Sequence, residues 1–529
     1  MTFPISTKTI PDEAVSRFRE ALGDENFSTD PVICDGYAMQ PFHKTEPGCW
    51  INRPLAVTLP SSTEEVQAIV KICIQHGLRY KAHSTGWGAH GGAGYDNVVQ
   101  IDLRRMNKIL EWDEKNRYVV VEPYVNCAEI QAEAMKRGFN IHIHGAGSVC
   151  SPLANATSHC GMGWSGISTS TSSRNILGVE WVLPSGEVLK LGTCGSISES
   201  AGSRWFSADG PGPSMRGIMR GWAGADGGLG VFTKMSMKLF HWAGPKETAV
   251  KGRLQDLVVE KPDNFRITLC AFPDARSYAD ALFKVGEAEI GFLQCKNSVA
   301  LMLGAMMPRM LRKIHASMNV KKILDACRHQ FMFTIAATSD LDYQYQSQCL
   351  EKIVDDHGGI VLDAPAPLHS LMYWSFVRVS LPPVVFRMGG NFFSTFGGDE
   401  AFDNCMEQAR IGEEIKRQFI ASKACFDDLA DNPWALIYEN GLFGHSEELW
   451  FYDHRDPEMG RQVDDYAKAC ADATLEHTLG GGGFAFFKGG EVHDILGPAM
   501  SNYHIWQRRI KKALDPNDLS DSKFYISSD

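Results

Sequence analysis

The sequence predicts an α+β protein of two or three domains, and three observations carry that expectation. The chain has 529 residues, too many for one ordinary hydrophobic core. Up to about residue 240, short β-rich runs border three glycine-rich stretches, at 84–94, 144–166 and 221–230. From residue 245 the composition shifts, and strands alternate with long helices, the pattern of a sheet covered on one face. We therefore divide the chain into residues 1–244, 245–485 and 486–529.

The first segment, "PDEAVSRFREALG", has apolar residues at helical spacing and a terminal glycine. A β-rich run from Leu55 to Leu59 follows. Ser62 and Glu65 then open an amphipathic helix with a capping-box pattern, and Gly77 stops it. A strand from about Leu78 to Ala82 enters the first glycine loop, and "NVVQIDL" leaves it. "YVVVEP" at 118–123 is another strand, and "VEWVLPSGEVLKLG" at 179–192 is a hairpin turning at Pro-Ser-Gly. Beyond 245, "FRITLCAF", "SFVRVSLPPVVF" and "ALIYENGLF" read as strands. "DEAFDNCMEQARIGEEIKRQFIA" and "RQVDDYAKACADATLEHTL" read as helices, and "IWQRRIKKALDPNDLSD" is a basic helix stopped by Asp-Pro.

Hydrophobic residues make up 44% of the chain and charged residues 22%, the balance of a soluble globular protein. A net charge of −11, with no basic block, argues against a nucleic-acid partner. No run approaches the length of a membrane-spanning helix. The N-terminal residues lack the plan of a signal peptide, and the final Ser-Ser-Asp is not a peroxisomal address. The 14 cysteines form no CxxC pair. Neighbourhoods such as "KICIQ" and "KACAD" read as buried apolar positions, so we expect reduced thiols and a cytoplasmic protein.

The absence of GxxxxGK[ST], HExxH and GxSxG argues against P-loop, zinc-protease and serine-hydrolase chemistry. No GxGxxG lies between the first strand and first helix, which argues against a dinucleotide-type Rossmann start. Three glycine-rich stretches bordered by strands point instead to a large anionic ligand, because glycine lets backbone N–H groups approach an anion closely. The first loop contains no lysine, so its anion binding would depend on amide dipoles.

"RPLAVTLPSSTEEVQAIVKICIQHGL", "HSTGWGAHGG", "GAGSVCSPLANATSHCGMG", "ILGVEWVLPSGEVLKLG", "GGLGVFTKMSMKL" and "ALDPNDLSD" follow one another in a telling order. In order and spacing they resemble FAD enzymes of the vanillyl-alcohol oxidase/p-cresol methylhydroxylase superfamily. The resemblance implies a two-subdomain PCMH-type FAD-binding part, from 1–244 with its main portion at about 50–240, to which 486–529 returns. It also implies an α+β cap on an antiparallel sheet at 245–485. Ser84, Thr85, Gly86, Trp87, Gly88, Ala89 and His90 would wrap the pyrophosphate. Ser148, Pro152, Asn155, Gly161 and Gly163 would line the flavin and ribityl side. Gly230 and Val231 would approach the adenine or ribityl group through backbone atoms.

Some relatives attach FAD through a histidine in the first loop. Here Trp87 stands in that place and His90 lies three residues further on, so we expect noncovalent FAD. Attachment from the cap would fall near His445, in "LFGHSEELWFYDH", which reads first as a histidine in a surface turn before a strand. The phenolate-binding tyrosines and the acidic residue of phenol oxidisers are missing, and so is the "GEHGIG" metal motif of the 2-hydroxy-acid branch; we expect no metal.

The expected activity is oxidation of an alcohol or hydroxy acid, aromatic or bulky, by hydride transfer to flavin N5. Oxygen or an electron-acceptor protein would take the electrons. Such a reaction needs an acceptor for the substrate O–H proton. Candidates are His445, His493, Tyr438 and the hydroxyls of 168–173, Ser170 among them. Arg378 and Arg387, in an expected cap strand pair, are candidate carboxylate anchors, and Tyr373, Trp374 and Trp450 read as core. Redox-neutral flavin chemistry on the same fold and a flavin-binding protein without activity are the alternatives. We expect a homodimer or larger homo-oligomer.

Overall fold

The computed structural model of the chain describes residues 9–38, 52–86, 91–143, 147–158, 161–192, 214–219, 224–252, 258–296, 298, 317–364, 369–370, 372–374, 377, 391–431, 434–453, 456–479, 490–523 and 525–528. Helix α1 (Asp12–Leu22) buries Ala14, Phe18 and Leu22 and ends where Gly23 takes a φ of 82°. The short β1 (Phe27–Ser28) pairs antiparallel with β2 (Ala56–Thr58). Helix α2 (Thr63–His76) stops at Gly77, in the left-handed region with a φ of 62°. Only one arm of its expected capping box forms. Ser62 Oγ accepts from Glu65 N at 3.2 Å, but the Glu65 carboxylate turns to Ser61, accepting from its N at 2.7 Å and its Oγ at 3.0 Å.

Strands β3 (Arg79–His83) and β4 (Val98–Asp102) complete a four-stranded sheet. In it β4 lies between β2 and β3 and runs parallel to both. Val66, Ile69 and Cys73 of α2 pack over Val99 and Ile101 of this sheet, giving the βαβ start the patterning predicted. A second sheet of five strands follows, made of β5 (Ile109–Asp113), β6 (Tyr118–Val121), β7 (Ile176–Val182), β8 (Val188–Leu191) and β9 (Val231–Lys238). Its order is β5-β6-β9-β7-β8, antiparallel throughout. The β7–β8 hairpin turns where expected, with Gly186 at φ 82°. Between β6 and β7 run helices α3 (Cys127–Lys136), α4 (Pro152–Thr157) and α5 (Gly166–Thr169).

The third sheet is antiparallel. It contains β10 (Phe265–Ala271), β11 (Leu293–Cys295), β12 (Gln330–Ala336) and β13 (Ile360–Asp363), in the order β11-β12-β10-β13. Helices α6 (Ala275–Glu287) and α7 (Asp340–Asp356) cover one face through Leu282, Leu350 and Phe333. The other face, with Phe265 and Ile267, joins the core of the five-stranded sheet. Patterning suggested one covered face; both are covered, because β10 turns Phe265, Ile267 and Leu269 to one side while β12 turns Phe331, Phe333 and Ile335 to the other.

In the fourth sheet β14 (Asn391–Glu400) and β15 (Trp434–Tyr438) flank β16 (Phe443–Tyr452), all antiparallel. Helices α8 (Phe402–Ala421) and α9 (Pro457–His477) pack beside it. "ALIYENGLF", expected as one strand, is a hairpin instead. Glu439, Asn440 and Gly441 take φ values of 47°, 55° and 89° and reverse the chain. After α10 (Gly490–Leu496) and α11 (Tyr503–Leu514), the chain returns to β3. There Tyr80 N donates to Leu519 O and Asp521 N to Tyr80 O, both at 2.9 Å. Cys73 and Cys470, expected as small apolar positions, are fully buried, as are Tyr373 and Trp450. Among the described residues no helix is long and apolar enough to cross a membrane.

Candidate cofactor cleft and the hairpin beside it

The C-terminal end of β3, the start of α4 and the turn before β9 converge on one cleft of about 860 Å³, part of it open to solvent. Ser84, Thr85 and Gly86 leave β3 and line it. Gly86 has a φ of 68°, and a Cβ there would lie 2.9 Å from His83 Nε2, so the turn needs glycine. His83 Nδ1 in turn faces Gly91 O at 3.3 Å, and burial holds its pKa below the usual histidine value. Thr85 Oγ1 accepts from Ser151 N at 3.1 Å. Ser151 caps α4, its Oγ accepting from Ala154 N at 3.2 Å, and Asn155 Nδ2 donates to Ser151 O at 2.8 Å.

The third wall is the turn Asp226–Gly230. Gly227 and Gly230 have φ values of 80° and 92°, and a Cβ on Gly230 would fall 2.3 Å from Val182 O. Ser520 braces this turn, accepting from Gly230 N at 2.8 Å and donating to Gly227 O at 2.7 Å. Lys511, fully buried, donates to Gly228 O and Ser520 O at 2.8 and 2.7 Å.

A cation does line the cleft, contrary to the reading of the loop alone. Lys81, on β3 three residues before Ser84, is 1% exposed. Its Nζ donates to Asp226 O at 2.7 Å. The Asp226 carboxyl is pushed up to about 8 by burial, with the Lys81 ammonium pulling the other way. An anion therefore meets hydroxyls, close backbone, one ammonium and a carboxyl that burial keeps largely neutral at pH 7. That donor set suits a diphosphate.

The other expected cofactor positions that the structure describes are not among the residues that line the cleft. Pro152 is the buried first residue of α4. Gly161 N donates to Asn155 O at 3.2 Å. Gly163 passes so close to the preceding chain that a Cβ would meet Ile143 O at 1.8 Å. Ser148 is buried, its carbonyl accepting from Ala128 N at 2.9 Å. Val231 points its side chain into the core beneath. Trp87, Gly88, Ala89 and His90 lie outside the described residues, as do Arg378 and Arg387. Sequence reasoning missed Lys81, His83, Ser151 and Asp226. The hydroxyl of Ser151 before a proline was the signal available for one of them.

Of the proton-acceptor candidates, the structure brings three together. His445 is fully buried inside β16 and not in a surface turn, because β16 is the central strand of its sheet. Its Nε2 lies 3.2 Å from Glu447 Oε1, and its ring stands 5.3 Å from Trp434 and 6.4 Å from Tyr438. Tyr438 stacks on Phe443 at 4.9 Å and presses on Gly166, where a Cβ would be 2.2 Å from the ring. Ser170 Oγ donates to Glu439, the next residue, at 2.6 Å. Beneath them His142, also missed, is buried with Nδ1 2.8 Å from Thr169 Oγ1. His493 belongs to a separate contact: its Nδ1 meets Tyr503 OH at 2.6 Å, and burial pushes its pKa down to about 4.

Residues 54–192, which contribute the first two walls of the cleft, match the FAD binding domain family. Along its whole length the chain shares the fold of p-cresol methylhydroxylase, with a TM-score of 0.73 at 18% identity over 98% of this chain and 97% of that one. The chain is an FAD flavoprotein of the PCMH-type fold. Among curated proteins, this flavoprotein is 29% identical to an uncharacterised FAD-linked oxidoreductase of Mycobacterium tuberculosis over 34% of its own length and 38% of the relative's. It is 25% identical to a probable mitochondrial D-lactate dehydrogenase of Danio rerio over 54% of its length and 50% of the relative's. The alignments thus span half or less of these relatives.

Proposed function

We propose that the flavoprotein is an FAD-dependent oxidoreductase that oxidises an alcohol or hydroxy acid carrying an aromatic or other bulky group. Residues 1–244 and 486–529 hold the cofactor, and 245–485 supply the substrate side. The observation that carries the reading is the cleft of Ser84–Gly86, Ser151–Asn155 and Asp226–Gly230, with the hairpin that carries the buried Tyr438 and His445 packed on Gly166 in the segment that continues it. The FAD-linked oxidoreductase and the D-lactate dehydrogenase among the relatives support oxidation, the latter of a hydroxy acid.

Bound FAD supplies a two-electron acceptor. Lys81, Ser84, Thr85 and Ser151 hold its diphosphate, and the glycines at 86, 227 and 230 let backbone come close. FAD is held noncovalently, because Trp87 stands where relatives that attach it through the first loop carry the linking histidine. His445 is the acceptor of the substrate proton, and the Glu447 carboxylate beside its ring steadies the cation that forms. Oxygen or an acceptor protein would take the electrons.

Anaerobic mixing of the FAD-loaded protein with a panel of aryl alcohols and 2-hydroxy acids tests the activity. Bleaching of the flavin band by a member of either class supports it; a stable flavin spectrum with every member contradicts it and favours redox-neutral chemistry or an inert binder.

A further inference from the structure

One carboxylate ties the β15–β16 hairpin to the segment behind the cofactor cleft. Glu439, in the hairpin's turn, accepts from Ser170 Oγ at 2.6 Å, while Arg174 Nη1 donates to both of its oxygens, at 3.1 and 3.0 Å. The Arg174 guanidinium also lies over the Phe443 ring, 5.1 Å from its centre, so one arginine grips both ends of the turn. Both sides of this junction hold backbone that side chains disfavour. Ser170 has φ 62° and ψ −151°, a region nearly reserved for glycine, and Glu439 and Asn440 are left-handed. Such conformations persist where the surroundings over-determine them. Behind the turn α6 leaves no room, since a Cβ on Gly286 would meet Asn440 O at 2.2 Å.

The junction connects in both directions. Ser172 N donates to Gly161 O at 2.9 Å and Gly161 N to Asn155 O at 3.2 Å, and Asn155 lines the cleft. On the other side Tyr438 directly precedes Glu439, and His445 pairs with Leu436 across the same hairpin. Arg174 and Glu439 are 48% and 28% exposed. The clasp therefore owes its hold to converging donors and not to burial.

We propose that Glu439 is a positioning residue: with Ser170 and Arg174 it sets where Tyr438 and His445 stand relative to the cofactor cleft. The functional consequence rests on the FAD reading; the clasp itself does not.

The test compares FAD-loaded full-length protein with Glu439→Gln, Ser170→Ala and Arg174→Lys. Hydrogen exchange is followed over 434–452, and flavin absorbance is titrated with sulfite, a small nucleophile that adds to flavin N5. In Glu439→Gln, exchange over 434–452 rises about tenfold while the five-stranded sheet is unchanged, and the sulfite dissociation constant shifts by about threefold or more at unchanged FAD content. Ser170→Ala moves both readouts the same way by less, and Arg174→Lys, which keeps the charge, retains most of the protection. Unchanged exchange and sulfite binding in Glu439→Gln overturn the proposal. So does a rise spread over the whole molecule in both Glu439→Gln and Ser170→Ala, which would make the clasp merely structural. If the wild type retains no FAD, the oxidoreductase reading falls, and the exchange comparison still decides the clasp.

Discussion

Asp226 is a carboxyl set in a cradle for anions, and its protonation state governs what the cradle accepts. Burial keeps it protonated up to about pH 8; above that it ionises and repels a diphosphate. FAD affinity measured by fluorescence titration should therefore weaken as pH rises through 8, and Asp226→Asn should abolish that limb. Lys81 acts in the opposite sense. Lys81→Met removes the hydrogen bond from its Nζ to the Asp226 carbonyl, so it should cost about 1–3 kcal/mol in thermal or denaturant unfolding and at least about tenfold in FAD affinity. The glycine-rich stretches were legible because such residues cluster visibly beside strands, and the resemblance then singled out Ser84 to Gly86, Asn155 and Gly230, which line the cleft. Lys81 and Asp226 were not. A lone charge in "RYKAH" or "GADGG" carries no sign of where its side chain points, and both Tyr80 and Lys81 are buried, so no alternation betrays the facing.

The turn before β9 depends on two features that substitution can separate. Gly230→Ala places a Cβ against Val182 O at a φ of 92° and should cost at least about 2 kcal/mol, visible as a lowered unfolding midpoint. Ser520→Ala removes both hydrogen bonds bracing the turn and should cost about 1–3 kcal/mol while speeding FAD release. Local signals located many elements well: Gly23 and Gly77 stop α1 and α2, and Pro-Ser-Gly turns β7 into β8. The bend at Glu439–Gly441 was missed although its Asn-Gly pair is a hairpin signal, because the apolar residues on either side read as one run. His445 was placed in a surface turn for a related reason. Its burial comes from β16 lying between two other strands, and that pairing is set by tertiary contacts.

At the scale of the molecule, buried ionisable groups tie stability to pH. The Glu448 carboxyl, accepting from Tyr466 OH at 3.1 Å, is also pushed up to about 8 by burial. Unfolded carboxyls release their protons near pH 4, so Glu448 and Asp226 favour the folded state less as pH climbs toward 8. His493 acts on the acid side. Its folded pKa of about 4 lies below the ordinary 6.5, so its neutral form in the fold costs stability as pH falls from 6.5 toward 4. Between pH 6.5 and 8 the histidine is neutral in both states and the carboxyls decide. The unfolding midpoint should fall across that window, and Glu448→Gln should flatten the fall. The α+β class was legible from patterning, and the antiparallel third sheet through the resemblance of the motifs to a known family. The core shared between the third sheet and the five-stranded sheet was not, since it joins residues as distant in sequence as Val119 and Phe265.

The central claim is that the glycine-walled cleft holds FAD without a covalent bond, and absorbance after reconstitution tests it most directly. Full-length protein incubated with FAD and desalted should keep a stoichiometric flavin band near about 450 nm, and acid should leave a white pellet with the flavin in solution. A colourless protein after desalting would contradict the cleft's assignment, and a yellow pellet would contradict noncovalent binding.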